Sequence, residues 1–157
     1  MAARRRVLSI MAASGKVGYL LLENRRVVTK GLSRKASIGE AEAATSAAHW
    51  IEQLRPDVVV TEHIPKRSRK GANTRAVTDA IAGVAELADL RHVRVVRGHS
   101  HANKFVEAAA LAKAFPELAP LLPAPRKPWD SEPKPIIYFE ALALALSALG
   151  DPDNPML

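Results

Sequence analysis

The strongest constraint on the fold is an unbroken run of strand-forming residues near the middle of the chain. Residues 57–61 read DVVVT and lead directly into an acidic residue, Glu62. A continuous β-branched run with no polar alternation is typical of a central strand that is buried on both faces. Such a strand needs helices above and below it, so the chain is predicted to be an α/β protein. An acid at the end of a buried strand also invites a functional interpretation.

The segment before this run predicts a three-stranded meander followed by a helix. Strands are expected at about 7–11, 17–23 and 26–32, because apolar residues there are separated by short turns. Ser37 and Glu40 have the spacing of a capping box, and apolar residues then recur at helical spacing up to Arg55-Pro56.

The segment after Glu62 predicts alternating helices and one further strand. These elements are a basic, flexible loop at 65–71, a helix capped by Asn73 or Thr74, a strand at 93–96, a helix at about 103–115, an irregular proline-rich stretch at 116–135, and a last helix from near Pro135 to Gly150.

The length and composition are those of one ordinary folded domain. The chain has 157 residues, of which 48% are hydrophobic and 25% are charged, so a core can form without metal or disulfide staples. We expect residues 1–150 to form a single domain and 151–157 to be a C-terminal tail. The sequence contains no cysteine, which excludes disulfides, thiol catalysis and zinc-cysteine sites and fits a cytoplasmic location.

The charge of the chain predicts an acidic partner. The formal net charge is +7 and the isoelectric point is about 10.1. For a small basic domain, nucleic acid is the commonest such partner. No membrane contact is expected, because the longest apolar segment, 136–149, falls short of the roughly 20 residues that cross a bilayer.

Four segments resemble the RuvC-type Holliday-junction resolvases of the RNase H-like superfamily. They are VLSIMAASGKVGY (7–19), RPDVVVTEH (55–63), AGVA (82–85) and FEALALALSAL (139–149). Their order and spacing match that family over nearly the whole chain. The resemblance implies a mixed five-stranded sheet with helices on both faces.

The resemblance also implies a site built from four carboxylates. In such nucleases clustered acids hold two divalent cations roughly 3.5 to 4 Å apart, and the hard oxygen ligands suit Mg²⁺ or Mn²⁺. Glu62 and Glu140 fall on two of the acidic positions and are the candidate catalytic and metal-binding residues. Met11 and Ile137 fall on the other two. A thioether cannot bridge two magnesium ions, so the family reaction is in doubt.

Other residues could supply the missing ligand. Asp130 and Glu132 lie just before the last predicted helix, Asp79 lies on the second helix, and His99 and His101 could bind a softer metal. The structural alternatives stay open as well. Glu62 could be a strand-end acid paired with a lysine or arginine, and Glu140 could be favoured by the dipole at the start of its helix.

Basic residues cluster directly after Glu62 and again near the last helix. The resemblance places the first cluster beside the substrate cleft, where it could hold phosphates; the alternative is a solvated charged loop. Trp129 could stack on an unpaired base or pack on the core. The candidate nucleic-acid contacts are Lys66, Arg67, Arg69, Lys70, Asn73, Arg75, Lys104, Arg126 and Lys127.

Three functions are compatible with these features. The first is a RuvC-like protein that binds structured or branched nucleic acid, DNA foremost, with cleavage lost or altered. The second is an active Mg²⁺- or Mn²⁺-dependent endonuclease with relocated carboxylates, and the third is a protein-interaction adaptor. Relatives in the family often form homodimers through a helix, and the apolar face around Ile81 and Val84 could serve either that contact or the core.

Overall fold

A computed structural model describes residues 5–97, 104–123 and 135–148. Within these ranges the strands and helices follow one another as β1 (Arg6–Ala13), β2 (Lys16–Glu23), β3 (Arg26–Ser33), α1 (Glu40–Leu54), β4 (Val58–Glu62), α2 (Ala72–Leu87), β5 (Arg91–Val95), α3 (Lys104–Ala114) and α4 (Ile136–Ala148). Each predicted strand is confirmed to within two residues at either end.

The five strands form one mixed sheet in the order β3-β2-β1-β4-β5. β1, β2 and β3 pair antiparallel as the predicted meander. β1 pairs parallel to β4, and β4 pairs parallel to β5, so the long connections carry helices across the sheet. The prediction of a mixed five-stranded α/β fold is confirmed.

Helices cover both faces of this sheet, as predicted. α1 and α2 pack on one face, where Leu8, Val59 and Ile81 belong to one buried cluster. α3 and α4 pack on the other face, where Val58 and Leu142 belong to a second cluster. The apolar face of α2 is therefore part of the core.

The central strand β4 fixes which side chains face which layer. All five of its residues are buried. Val58 and Val60 belong to the α3–α4 cluster, whereas Val59 belongs to the α1–α2 cluster. Because side chains alternate along a strand, Glu62 points to the α4 side with Val58 and Val60. On β1, Met11 lies on the same side, in the same cluster as α4.

Both predicted helix caps are wrong. α1 begins after Gly39 and α2 begins after Gly71, and neither start has a side-chain cap. Ser37 instead ends a short 3-10 helix, where its hydroxyl donates to Arg34 O at 2.6 Å. Asn73 lies inside the first turn of α2, and its amide donates to Ser37 O at 2.8 Å. The Asn73 side chain thus joins the start of α2 to the segment before α1, whereas the Ser37 hydroxyl makes a local contact.

The proline-rich stretch is not wholly irregular. Residues Pro116–Leu121 form a 3-10 helix, in which a proline near the first position is favourable because its missing N–H is not needed. Residues 124–134 and the predicted end of the last helix at Gly150 lie outside the described ranges. Over the part of the chain that is described, no helix combines the length and apolarity that a membrane crossing requires.

Candidate functional site at the end of the parallel strands

The parallel strands β1, β4 and β5 end at one edge of the sheet, which brings Glu62 beside Met11. The register pairs Ile10 with Thr61, so residues 11 and 62 are the next neighbours. The loop from 63 to 71 leaves β4 at this edge. In open α/β sheets, the crevice outside the carboxyl ends of the strands is the usual ligand site. This edge is therefore the candidate functional site.

Glu62 is buried and paired with a lysine from the following loop. Only 5% of the residue is exposed, and Lys70 Nζ lies 2.5 Å from its Oε1. The same ammonium lies 3.3 Å from Ala12 O and 3.8 Å from Met11 Sδ. A buried carboxylate needs such a partner, since an isolated charge is costly to remove from water. The ammonium thus occupies the space between the ends of β1 and β4.

The two neutral positions of the implied acidic set are part of the core. Met11 and Ile137 are both fully buried, in the same apolar cluster. Gly18 is the cross-strand partner of Met11, and a Cβ added to it would lie only 2.9 Å from Ile137 Cγ2. Strand β2 and helix α4 therefore pack tightly where the resemblance implies a carboxylate.

Glu140 also faces a lysine. It is 8% exposed on the first turns of α4, and its Oε1 lies 4.0 Å from Lys104 Nζ at the start of α3. A third buried acid, Glu107 of α3, pairs with Arg97 just beyond β5. Among the described residues, every buried carboxylate thus has a basic partner.

The Arg97–Glu107 pair was missed by the sequence analysis. A glutamate in the first turn of a helix is ordinary, and no local pattern links it to an arginine ten positions earlier. Only the fold, which brings the end of β5 against α3, makes them partners. The sequence left open a lysine or arginine partner for Glu62, but it did not predict that this partner is Lys70.

These residues do not fit a pair of magnesium ions. Within residues 5–97, 104–123 and 135–148, no three histidine or acidic side chains are grouped to hold a metal. Met11 and Ile137 offer no hard oxygen ligand, and the Glu62 carboxylate is already engaged by an ammonium. The candidates Asp130, Glu132, His99 and His101 lie outside the described ranges.

Asp79 lies on the other side of the sheet from the Glu62 side chain. It is exposed on α2, and its Oδ1 accepts a hydrogen bond of 2.6 Å from Arg94 of β5. Arg94 Nε also donates to Glu62 O at 3.4 Å. Asp79 therefore reaches the end of β4 through an arginine and the backbone, not as a second carboxylate beside Glu62.

The loop after β4 has an ordered backbone. Arg75 of α2 reaches back across it, donating to Ser68 O at 2.8 Å, Pro65 O at 3.1 Å and Lys70 O at 3.1 Å. Lys70 N donates to Ser68 Oγ at 3.2 Å. The loop is thus held by Arg75 from one side and by the Lys70–Glu62 pair at its end.

Three cations of this loop face solvent. Lys66, Arg67 and Arg69 are exposed, in contrast to the partly buried Lys70 and Arg75. Of the other candidate contacts, Asn73 is exposed but has its amide directed to Ser37 O. Lys104 lies near Glu140. Arg126 and Lys127 lie outside the described ranges. We call Lys66, Arg67 and Arg69 the exposed loop cations.

Comparison with known structures confirms the fold class. The arrangement of the sheet and its two helical layers is RNase H-like. Among solved structures, the chain is similar to RuvC of Thermus thermophilus, with a TM-score of 0.59, 18% identity, and coverage of 90% of this chain and 92% of that one. RuvC from the same organism in complex with Holliday junction substrate gives a TM-score of 0.58 and 14% identity, covering 91% of both chains.

A viral enzyme shares the same fold. The Holliday junction resolvase of fowlpox virus has a TM-score of 0.57 and 13% identity to this chain, with coverage of 90% of this chain and 96% of the viral one. No protein-family model and no curated protein sequence matches the chain. At these identities the likeness establishes the fold alone.

Proposed function

We propose that this protein binds structured or branched DNA through the exposed loop cations, and that metal-dependent phosphodiester cleavage is lost or altered. The observation that carries the proposal is the position of Lys66, Arg67 and Arg69. All three side chains are free of the core and stand on a loop that borders the carboxyl edge of the parallel strands. Cations in that position can contact successive phosphates of a nucleic-acid backbone.

The ordered backbone of the loop supports this binding role. Arg75 holds the carbonyls of Pro65, Ser68 and Lys70, so the loop need not be ordered when a ligand binds. A preorganised loop loses less conformational entropy on binding than a flexible one. In this proposal Lys70 and Arg75 shape the loop, while the three exposed cations contact phosphate.

The choice of DNA, and of a junction as the first ligand to test, follows from the fold. Two of the similar solved structures are resolvases in complex with Holliday junction DNA, one from T. thermophilus and one from fowlpox virus. The net charge of +7 suits a polyanionic partner of this kind.

The loss of cleavage is proposed because the site offers too few carboxylates. Glu62 and Glu140 would have to hold the metal ions, yet each faces a lysine. Met11 and Ile137 contribute only apolar surface. Two-metal hydrolysis requires carboxylates that bridge or flank both ions.

The dependence of binding on salt tests the role of the loop. A variant with Lys66→Ser, Arg67→Ser and Arg69→Ser should bind a labelled four-way junction more weakly. Its plot of log affinity against log salt should be flatter by about 2 to 3 units, since each lost phosphate contact removes about 0.9.

The matched control removes the same charge from the opposite end of the sheet. Arg26, Arg91 and Lys113 are exposed. Arg26 and Arg91 begin β3 and β5. Lys113 lies in the last turn of α3, near Phe115, which borders a pocket with Val7 and Leu22. Their combined replacement by serine should change the slope much less. Equal slopes for the two triple variants would refute the proposed role of the loop.

A single gel assay tests the preferred ligand and the loss of cleavage. Wild type and Glu62→Ala are incubated with a four-way junction, duplex, single strand and RNA–DNA hybrid, with and without Mg²⁺ or Mn²⁺. We expect the junction to be shifted and left intact by both proteins. Metal-dependent cleavage that disappears in Glu62→Ala would instead support an endonuclease that uses Asp130 or Glu132. No shift with any ligand would favour the adaptor function.

A further inference from the structure

We infer that the ammonium group of Lys70 is a built-in cation that replaces a divalent metal ion between the ends of β1 and β4. The inference goes beyond the proposed function, because it concerns the occupancy of this site and can be measured with no nucleic acid present. It also accounts for a methionine at position 11.

The contacts of Lys70 match the donors of an ammonium group. Nζ can donate three hydrogen bonds and can accept none. Three acceptors lie within reach: Glu62 Oε1 at 2.5 Å, Ala12 O at 3.3 Å and Met11 Sδ at 3.8 Å. Two of these belong to β1 and one to β4. The ammonium therefore connects the two strand ends, as a shared metal ion would.

The charges at the site balance without a metal. Two carboxylates at positions 11 and 62 would repel each other and would need a doubly charged ion between them. With methionine at position 11, Glu62 brings a single negative charge, which one lysine neutralises. Compared with a pair of carboxylates at positions 11 and 62, the thioether of Met11 leaves the site with one negative charge fewer, and the lysine supplies one positive charge. Met11 and Lys70 are therefore complementary.

A divalent ion has to compete with Lys70 for the Glu62 carboxylate. Displacing the Lys70 ammonium would break its shortest hydrogen bond, which is the one to Glu62. Because the Lys70 side chain is only 27% exposed, part of the interaction energy of the Lys70–Glu62 pair would be lost. One carboxylate and one carbonyl are also a poor ligand set for Mg²⁺ or Mn²⁺. We therefore expect no binding of either ion at Glu62 into the millimolar range.

The first experiment is a calorimetric titration of Mn²⁺ into the intact protein without DNA. Wild type and Glu62→Gln should give the same titration curve, because no Mn²⁺-binding site should depend on Glu62. Saturable Mn²⁺ binding by wild type that is lost in Glu62→Gln would overturn the inference. This outcome is independent of the proposed binding of DNA through the exposed loop cations, because the titration contains no nucleic acid.

The second experiment restores the metal site. The double variant Met11→Asp/Lys70→Met should gain Mn²⁺ binding, and Mn²⁺ should raise its melting temperature, since a ligand that binds only the folded state stabilises it. The control Met11→Asn/Lys70→Met introduces a side chain of the same shape at position 11 but no second carboxylate. A folded Asp variant that binds Mn²⁺ no better than the Asn control would also overturn the inference.

A milder variant covers the case in which a polar group at position 11 prevents folding. Lys70 is partly exposed, so Lys70→Met is expected to fold. It should melt at a lower temperature than wild type, because it leaves Glu62 without its cation. Once the competing ammonium is gone, Mn²⁺ in excess should recover part of the difference, even though Glu62 and Ala12 O bind it only weakly. An equal response to Mn²⁺ in wild type, Lys70→Met and Glu62→Gln/Lys70→Met would count against the inference.

Discussion

At the scale of single residues, Met11 has both an apolar and a charged environment. Met11 is fully buried in the same cluster as Ile137 and Leu142. Its sulfur is nevertheless 3.8 Å from Lys70 Nζ, so one side of the residue packs in the core and the other touches a cation. A thioether suits both surroundings, being apolar and a weak hydrogen-bond acceptor.

The packing of β2 against α4 predicts a large effect at Gly18. A Cβ there would lie 2.9 Å from Ile137 Cγ2 and 3.1 Å from its Cγ1, so Gly18→Ala should lower the free energy of unfolding by about 1 to 3 kcal/mol through overpacking. Urea denaturation measures the change.

Gly83 of α2 provides the opposite case. A Cβ there would meet nothing within 4 Å, and alanine is favoured over glycine inside a helix by about 0.5 to 1 kcal/mol. Gly83→Ala should therefore raise the free energy of unfolding slightly. If Gly18→Ala were as stable as Gly83→Ala, the close contact with Ile137 would be wrong.

At the scale of elements, the loop between β4 and α2 depends on one side chain of the following helix. Because the Arg75 guanidinium binds several loop carbonyls, Arg75→Met should leave α2 intact and release the loop. We expect amide hydrogens at 66–70 to exchange about tenfold faster, which corresponds to the loss of one or two net hydrogen bonds. Hydrogen exchange followed by mass spectrometry measures this.

Two further variants sharpen the test of the loop. Arg75→Lys should not restore slow exchange, because a single ammonium cannot span carbonyls that a planar guanidinium reaches together. Arg91→Met removes an exposed arginine at the other end of the sheet and should leave the loop unchanged. Unaltered exchange in Arg75→Met would mean that the loop is held by other contacts.

The elements themselves could be predicted from sequence where local pattern decides. The valine run of β4 and the alternating apolar residues of the meander are local signals, and the strands they predicted are confirmed. The starts of α1 and α2 could not be predicted, because the Ser37 hydroxyl is used within its own 3-10 helix and the Asn73 amide is used in a contact with the segment before α1. Sequence gives the capping preference of a residue but not its competing tertiary partner.

The candidate site was predictable only in part, for a related reason. Its location at the end of β4 follows from a buried strand that ends in an acid. Its chemistry depends on Lys70, eight residues further along, folding back onto Glu62. Nothing in the loop sequence distinguishes Lys70 from its exposed neighbours Lys66, Arg67 and Arg69. Burial of one lysine among four cations is a property of the tertiary structure.

At the scale of the whole molecule, a basic residue connects neighbouring elements at each end of the sheet. At the end away from Glu62, Arg6 of β1 contacts β2, the end of α1 and the residue before β4. Its backbone N donates to Asp57 Oδ2 at 2.8 Å, and its guanidinium donates to Leu54 O at 2.7 Å and Glu23 Oε2 at 2.9 Å. At the other end Lys70 makes the corresponding connection between β1 and β4. Basic side chains thus tie the strands together at both ends.

The stability of the whole chain should fall at alkaline pH, in part because of Tyr138. Burial, with a smaller contribution from Tyr19, raises the pKa of the Tyr138 hydroxyl above its ordinary value. The folded state then holds this proton more tightly than the unfolded chain does. Its contribution is complete below the unfolded pKa, about 10 for tyrosine, and is lost as pH rises through the folded pKa.

A tyrosine-to-phenylalanine variant tests this dependence. Tyr138→Phe removes the titrating hydroxyl but keeps the ring that packs against the α3–α4 cluster. Its free energy of unfolding, measured by urea denaturation from neutral to strongly alkaline pH, should decline less steeply than that of wild type. Parallel curves for the two proteins would show that Tyr138 does not contribute to the decline.

The pairing of Lys70 with Glu62 beside Met11 has a consequence for how such a chain can evolve. An aspartate introduced at position 11 would still find Lys70 in the space between the ends of β1 and β4. Loss of Lys70 alone would leave a buried acid without its partner and a less stable protein. The effects of the two changes are coupled, so selection cannot easily favour either one first.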